Sequence, residues 1–323
     1  MINFNYTRVS SAEEALTALQ GTEGSLLVAG GTDLVPLMKD ELAKPAGLVD
    51  LGAWRAGSGI RSEEDGLHIG ALTSLSEIAE SPDIISAYTA LADACRLAAT
   101  PQLRNMGTIG GNLLQQTRCW YFRSEHNCWL KGGDTCFARD GENEGHSIFL
   151  TRESPCVSAH PSDPAAALLA LNARVRYISS EGEAELPVEQ LFALPEPSRR
   201  NFVTLPAGAV ITEIVLPAPG NGSKSLYLKA MARATWGFAL AGIAIAVQPA
   251  TVEARIALSG VAPIPVRAPA AEALLAGSDP ASVDPEALAD ALLQGAQPLS
   301  QNGYKLDLLR GLLKQAVSEL ASK

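Results

Sequence analysis

The chain has 323 residues, 19% of them charged and 47% hydrophobic, with a formal net charge of −10. This length can bury more than one core. The acidic balance, with no lysine- or arginine-rich run, argues against a nucleic-acid partner. The longest apolar stretch, "FALAGIAIAV" (Phe238 to Val247), is half the length of a spanning helix, so no membrane insertion is expected.

The N-terminus, "MINFNYTRVSSAEEAL", has no basic segment followed by an apolar one. The chain is therefore expected to carry no export signal of its own. A cytoplasmic site is the default, and the periplasm is open through co-export with a signal-bearing partner.

The first fifty residues read helix, strand, helix, strand. "SSAEEALTALQG" has Ser11 as N-cap with Glu14 three residues on, a capping box. "SLLVAGGTD" is a short strand ending in a glycine pair, "LVPLMKDEL" a short helix and "AGLVDL" a second strand. "LHIGALTSLSEIAE" repeats strand to helix, with a second box at Ser74 and Glu77. In "PDIISAYTALADACRLAAT", Ile84, Tyr88, Leu91, Cys95 and Ala98 fall on one helical face, and the helix is expected to end at Pro101. Cys95 is thus a small buried apolar residue. "SDPAAALLALNARVRYI" reads as a helix from Asp163 into a strand, "GEAELPVEQLFA" as a strand and short helix, and "AVITEIVLP" as a strand.

"APGNGSKS" (Ala218 to Ser225) is turn-rich and marks the domain boundary, giving domains 1–219 and 220–323. Beyond it three apolar strands, "LYLKAMA", "FALAGIAIAVQ" and "TVEARIALSG", precede helices at "PAAEALLAG", "PEALADALLQGA" and "YKLDLLRGLLKQAVSELA". The fold class is α+β, the last third being a three-stranded antiparallel sheet packed on helices.

Two glycine turns suit an anion. "AGGTD" (Ala29 to Asp33) follows a strand and opens a helix, so its backbone can approach closely and its N–H groups point outward. "GTIGGN" (Gly107 to Asn112) repeats the pattern, and the pair could wrap a pyrophosphate through main-chain amides. Either alone also reads as a plain tight turn. Neither has the G-x-G-x-x-G spacing of a nicotinamide site nor a Walker lysine.

Four of the five cysteines, Cys119, Cys128, Cys136 and Cys156, lie in one polar, glycine-bearing loop spanning residues 115–160. Four thiolates can hold zinc or an iron–sulfur cluster. The short C-x₂₋₄-C knuckles of structural zinc sites are missing, and wide spacing suits a bulkier group. Trp120, Tyr121, Phe122, Trp129 and Phe137 could screen it from water. His126, His146 and His160 keep a mixed Cys/His zinc site open, or stand as solvated or second-layer residues, and unligated thiols are the remaining reading.

"LLVAGGTDLVPLMK", "NMGTIGGNLLQQTRCWYFR", the spaced cysteines, "AHPSDPAAALLAL" and "YLKAMAR" occur in that order. The sequence resembles the FAD-binding medium subunit of the xanthine oxidase family of molybdenum hydroxylases. More narrowly, it resembles the branch whose flavin subunit carries an extra [4Fe–4S] cluster, as in periplasmic aldehyde oxidoreductases and 4-hydroxybenzoyl-CoA reductase. The resemblance implies a PCMH-type, vanillyl-alcohol-oxidase-like FAD domain of two α/β subdomains, then a smaller C-terminal domain of the CO-dehydrogenase-flavoprotein kind.

It assigns the FAD to Leu27, Val28, Ala29, Gly30, Gly31, Thr32, Asp33 and Leu34 in the first turn, and to Thr108, Gly110, Gly111, Asn112 and Leu114 in the second. Ser162 and Asp163 are implied near the adenosine part, and Lys229 near the flavin. Cys119, Cys128, Cys136 and Cys156 become the cluster ligands. Trp236 is a candidate for shielding the flavin ring, or else a core aromatic. No catalytic triad is expected.

The implied partners are a molybdopterin-containing large subunit, a [2Fe–2S] small subunit and an external electron acceptor. The substrate, an aldehyde or N-heterocycle, would be oxidised on the large subunit. A self-sufficient flavin oxidase and a zinc-stapled module without redox chemistry are the alternatives.

Overall fold

The computed structural model describes residues 3–322. Near the N-terminus, β1 (Asn5–Arg8), β2 (Ser25–Val28) and β3 (Gly47–Asp50) form a parallel sheet in the order β1–β3–β2, with α1 (Ala12–Gly21) and α2 (Leu34–Lys39) between the strands. The sequence reading had no β1, because "NYTR" is exposed along its length and carries no apolar alternation. Ser11 caps α1 by accepting from the Glu14 amide at 3.2 Å. The Glu14 carboxylate, however, turns to the amide and hydroxyl of Ser10, at 2.7 and 2.9 Å, so this capping box is not reciprocal.

An antiparallel sheet follows in the order β4–β5–β8–β6–β7. Its strands are β4 (Ile60–Glu63), β5 (Gly66–Gly70), β6 (Arg174–Ser179), β7 (Gly182–Pro187) and β8 (Val210–Pro217). Between β5 and β6 run α3 (Leu75–Glu80), α4 (Pro82–Ala87), α5 (Thr89–Leu97), α6 (Pro101–Met106), α7 (Ile109–Leu113) and α8 (Asp163–Ala170), and α9 (Val188–Leu191) follows β7. The box at Ser74 and Glu77, which opens α3, is complete in both directions.

The single helix expected through Cys95 is two, α4 and α5, broken at Tyr88 (φ −132°, ψ 49°), whose hydroxyl donates to the Pro217 carbonyl at 2.9 Å. Its buried face survives the break, since Ile84, Leu91 and Cys95 are fully buried. Nor does Pro101 end this helix. It opens α6, where Thr100 supplies the cap and proline's missing N–H costs nothing.

The last third holds β9 (Lys224–Ala230), β10 (Ala241–Gln248), β11 (Glu253–Ser259) and β12 (Val266–Arg267), ordered β12–β11–β10–β9, then α10 (Pro269–Leu275), α11 (Pro285–Leu292) and α12 (Tyr304–Ser322). The expected three-stranded sheet thus gains a fourth strand, the two-residue β12 at its edge. Strand alternation divides the side chains by size. Ile243, Ile245, Ile256 and Leu258 join the core with α10, α11 and α12, while Ala244, Ala246 and Ala257 join the core formed by α5 and α8. Small residues on that face let the preceding helices pack closely, so the sheet is covered on both sides. No helix among the described residues is long and apolar enough to cross a membrane.

Between Leu114 and Ser162 the described chain has no strand or α-helix, only a 3₁₀ turn at Trp129–Lys131. It is nonetheless buried in places. Ile148 and Phe149 enter the core beneath the last sheet, and their amides donate to the Val261 carbonyl at 2.8 and 3.0 Å. The loop is therefore anchored in the C-terminal part as well as in the part that contains it in sequence.

Candidate functional site

The two glycine turns meet. A Cβ on Gly30 would lie 1.8 Å from the Met106 carbonyl oxygen, so only glycine lets the first turn touch the chain entering the second. Gly31 has φ +69°, a left-handed conformation that glycine adopts without strain. The amides of Gly30, Gly31, Thr32 and Asp33 have no acceptor among the described residues.

The second turn differs. The amides of Ile109 and Gly110 donate to the carbonyls of Thr73 and Ala71 at 3.0 and 2.9 Å, that of Gly111 to Thr108 Oγ1 at 3.2 Å, and that of Asn112 to the Thr108 carbonyl at 2.8 Å. It is the capped first turn of α7, with its donors used by the protein. The expectation of amides offered from both sides therefore holds at the first turn and not at the second, where a helix took them.

Both turns line one cavity of 430 Å³. Leu27, Val28, Ala29, Gly30, Gly31, Thr32, Asp33 and Leu34 face it, with Thr108, Gly110, Gly111, Asn112, Leu114, Asp163, Lys229 and Trp236. Ser162 does not. Its hydroxyl caps α8 at the Ala165 amide (3.0 Å) and donates to Asn112 Oδ1 (2.6 Å), so it positions a lining side chain. Lys229 and Asp163 form a buried ion pair at 2.7 Å, their side chains 1% and 6% exposed. The ammonium also donates to the Leu97 carbonyl at 3.0 Å, and Tyr227 donates to the other Asp163 oxygen at 2.7 Å. This network ties β9 to α5 and α8 beside the cavity. Trp236 is no core aromatic. It is 55% exposed with φ +59°, next to the exposed Phe238 at the cavity mouth.

The cavity fits a dinucleotide cofactor such as FAD. It has free amides where a pyrophosphate would need donors, close backbone approach where a Cβ would intrude, and aromatic rings at one end.

The four loop cysteines converge on a second, smaller cavity walled by Tyr121, Phe122, Trp129 and Phe137. Trp120 does not face it and is 39% exposed. Among the described residues no three of these sulfurs lie within 4.8 Å of one another. A tetrahedral zinc with Zn–S bonds of about 2.3 Å would hold its sulfurs about 3.8 Å apart. Burial pushes the Cys119 thiol up to about 11. A hydrogen bond with Cys156 pulls Cys136 down to about 6 and raises Cys156 well above the ordinary thiol range. Cys95 sits apart in the helical core, its thiol also raised by burial.

Polar clamps hold the loop in shape. Arg200 donates to the carbonyls of Trp129 and Gly133, at 2.6 and 2.7 Å, and stacks over the Trp129 ring at 4.7 Å. Asn143 and Gln301 exchange hydrogen bonds of 2.9 and 3.0 Å. His126 pairs with Ser124 Oγ at 2.8 Å and lies against Tyr121. His160 is buried and accepts from the Ser162 amide at 3.3 Å, and burial pulls it down to about 3.

Asp33, read as a cofactor residue, is also the hinge between the two cavities. It pairs with Arg118 at 2.8 Å and Arg123 at 2.7 Å and accepts from the Gln116 amide at 2.8 Å. Sequence reasoning missed Arg118. It lines the larger cavity, lies 5.4 Å from the Phe238 ring, and directly precedes Cys119. Burial draws its guanidinium down to about 10, against the pull of Asp33. One arginine in a run of polar and aromatic residues carries no periodic signal, and its adjacency to a cysteine was the available clue.

Residues 2–219 match the family described as the FAD binding domain in molybdopterin dehydrogenase, and residues 226–320 match the CO dehydrogenase flavoprotein C-terminal domain. The chain is similar to the FAD-binding subunit of an aldehyde oxidoreductase of Escherichia coli (strain K12), 34% identical over 319 residues covering 98% of each chain. It is also similar to the medium subunit of a nicotine 6-hydroxylase of Paenarthrobacter nicotinovorans, 27% identical over 328 residues covering 98% of this chain and 97% of that one. Among solved structures it resembles a carbon monoxide dehydrogenase from Hydrogenophaga pseudoflava, with a TM-score of 0.75, 27% identity and 98% coverage of both chains.

Proposed function

The chain belongs to the FAD-binding medium subunits of the xanthine oxidase family of molybdenum hydroxylases, and on that footing we propose that it holds a [4Fe–4S] cluster beside its FAD and relays electrons within a three-subunit enzyme. Residues 1–219 form the flavin-binding part and residues 220–323 the C-terminal one. Substrate, an aldehyde or N-heterocycle, is oxidised on a molybdopterin-containing large subunit. Electrons reach this chain through [2Fe–2S] centres on a small subunit and leave to an external acceptor. Flavin chemistry suits that junction because it accepts electrons singly and releases them in pairs.

This chain's own residues bind and insulate. The free amides of the first glycine turn hold the pyrophosphate, and the Lys229–Asp163 pair fixes the wall. Trp236 and Phe238 cover the mouth. Cys119, Cys128, Cys136 and Cys156 ligate the cluster inside their aromatic wall. The observation that carries the reading is this convergence of four cysteines, with Cys119 joined directly to Arg118 of the flavin cavity.

The test is to purify the enzyme with wild-type chain and with each of its five cysteines changed to serine, then measure iron, acid-labile sulfide and FAD per chain. Serine is a harder, poorer ligand. All four loop variants should lose this cluster's share of the iron, leaving that of the small subunit's [2Fe–2S] centres, while keeping most of the flavin, and Cys95→Ser should keep full iron. Zinc in place of iron, normal iron in Cys136→Ser, or iron lost from Cys95→Ser would sink the assignment.

A further inference from the structure

His146 is a second-half residue of the cysteine loop that the electron-relay reading leaves without a task. Its ring is 2% exposed and lies edge-on to Trp120, with ring centroids 5.1 Å apart. Its backbone is fixed on both sides, since its amide donates to the Asn143 carbonyl at 3.0 Å and its carbonyl accepts from Asn302 Nδ2 at 3.2 Å. Ring Nε2 is 3.2 Å from Cys119 Sγ, and Nδ1 is buried with no hydrogen-bond partner.

These facts choose the tautomer. A neutral imidazole has one proton for its two nitrogens. On Nδ1 it would be a buried donor with no acceptor, at a cost of about 1–3 kcal/mol. On Nε2 it meets a sulfur. A cysteine bound to metal has lost its own proton and can only accept.

We propose that His146 donates Nε2–H to the Cys119 thiolate and so raises the reduction potential of the cluster, as a positioning residue and not a ligand. The proposal rests on the cluster reading above. Hydrogen bonds to ligating sulfurs are among the determinants of cluster potential, because added electron density on sulfur strengthens them. The amides of Phe122 and Tyr121 face the same sulfur, so His146 contributes one donor of several. Losing one such bond should change the oxidised-to-reduced ratio roughly tenfold, a negative shift of about 59 mV for one electron.

The test uses the assembled enzyme with wild-type chain, His146→Phe and His146→Gln. His146→Leu serves as a second donor-free variant, so that the fit of one ring does not decide the matter. Iron and sulfide are counted first, and the cluster midpoint is then read by EPR-monitored redox titration at one pH. The expected result is full iron throughout, with the donor-free variants shifted negative. His146→Gln should recover most of the shift, because its terminal amide reaches about as far from Cα as Nε2. An unchanged midpoint in the donor-free variants, or iron lost from His146→Gln, would overturn the proposal. Wild-type enzyme with no iron beyond that of the small subunit's [2Fe–2S] centres would defeat the cluster reading itself, a distinguishable outcome.

Discussion

The glycine-turn cavity and the cysteine cavity adjoin along Gln116 to Cys119 yet are built by opposite means. The first is made of backbone brought together by regular elements, with β2 and α2 flanking one turn and α6 and α7 the other. Its shape depends on where a side chain is missing. The second is made in a stretch without strand or α-helix, and its shape depends on side chains that cross its boundary: Arg123 reaches out to Asp33 and Asn143 to the Gln301 amide, while Arg200 and Lys305 reach in to loop carbonyls. A backbone-built site should fail when an atom is added. A clamp-built site should fail when one is removed, or when its charges change.

The largest effect is expected from adding one carbon at Gly30. Its Cβ would lie 1.8 Å from a backbone oxygen, so the two turns must separate. Gly30→Ala should cost about 3 kcal/mol of stability and remove most of the flavin. At Gly111 the added Cβ meets only Thr108 Oγ1, at 3.0 Å. That hydroxyl can rotate, and the amides there already serve the protein. Gly111→Ala should therefore keep most of its FAD. Flavin per chain and the thermal midpoint of both variants decide this, and equal flavin loss in the two would dissolve the distinction between the turns.

The same contrast explains what could be read from the amino-acid order. The first glycine pair, the box at Ser74 and Glu77, and the apolar run of β10 are local patterns whose physics is local, and each led to the element found. The cysteine spacing pointed to a shared group, and the structure brings the four thiols to one cavity. What escaped depends on distant partners. β1 exists because Asn5 to Arg8 pair with Gly47 to Asp50. The break at Tyr88 accompanies a hydrogen bond to Pro217, and the loop is docked by contacts to residues more than a hundred positions away. The second glycine turn was misjudged because "TIGGN" looks like a free turn, and only the fold shows its amides capped.

An intermediate effect is expected at Asp33, where the two constructions touch. Asp33→Asn keeps the shape and removes the charge that two arginines share, with side chains 17–28% exposed. Weakening hydrogen bonds to a charged group of this kind costs about 2 kcal/mol. If the carboxylate is the hinge, iron and flavin should both fall, each partially, and Asp33→Glu should restore some of both. Loss of flavin with full iron would make Asp33 a cavity residue alone.

The smallest effect separates the two regions by pH. His160 closes the cysteine loop and burial holds it at about 3, against about 6.5 for an exposed histidine. In the open loop it would bind a proton that the docked loop refuses. Docking is therefore fully favourable above pH 6.5 and weakens as pH falls toward 3, by about 1.4 kcal/mol per pH unit at most. His68, in β5 of the antiparallel sheet, behaves in the other sense. Burial alone would lower it, but hydrogen bonds to Glu213 and Asp65 outweigh that and raise it. Its contribution is fully present below its ordinary value and is lost as pH rises through the raised one. Mild acid should therefore loosen the loop and leave that sheet intact. Holding the enzyme at a series of pH values from 7 to 5 should release iron before flavin. His160→Gln, which has no such proton to take up, should keep its iron to lower pH. Iron and flavin leaving together, with the same midpoint in His160→Gln, would show that acid acts on the molecule as one unit and that the two constructions do not differ in this respect.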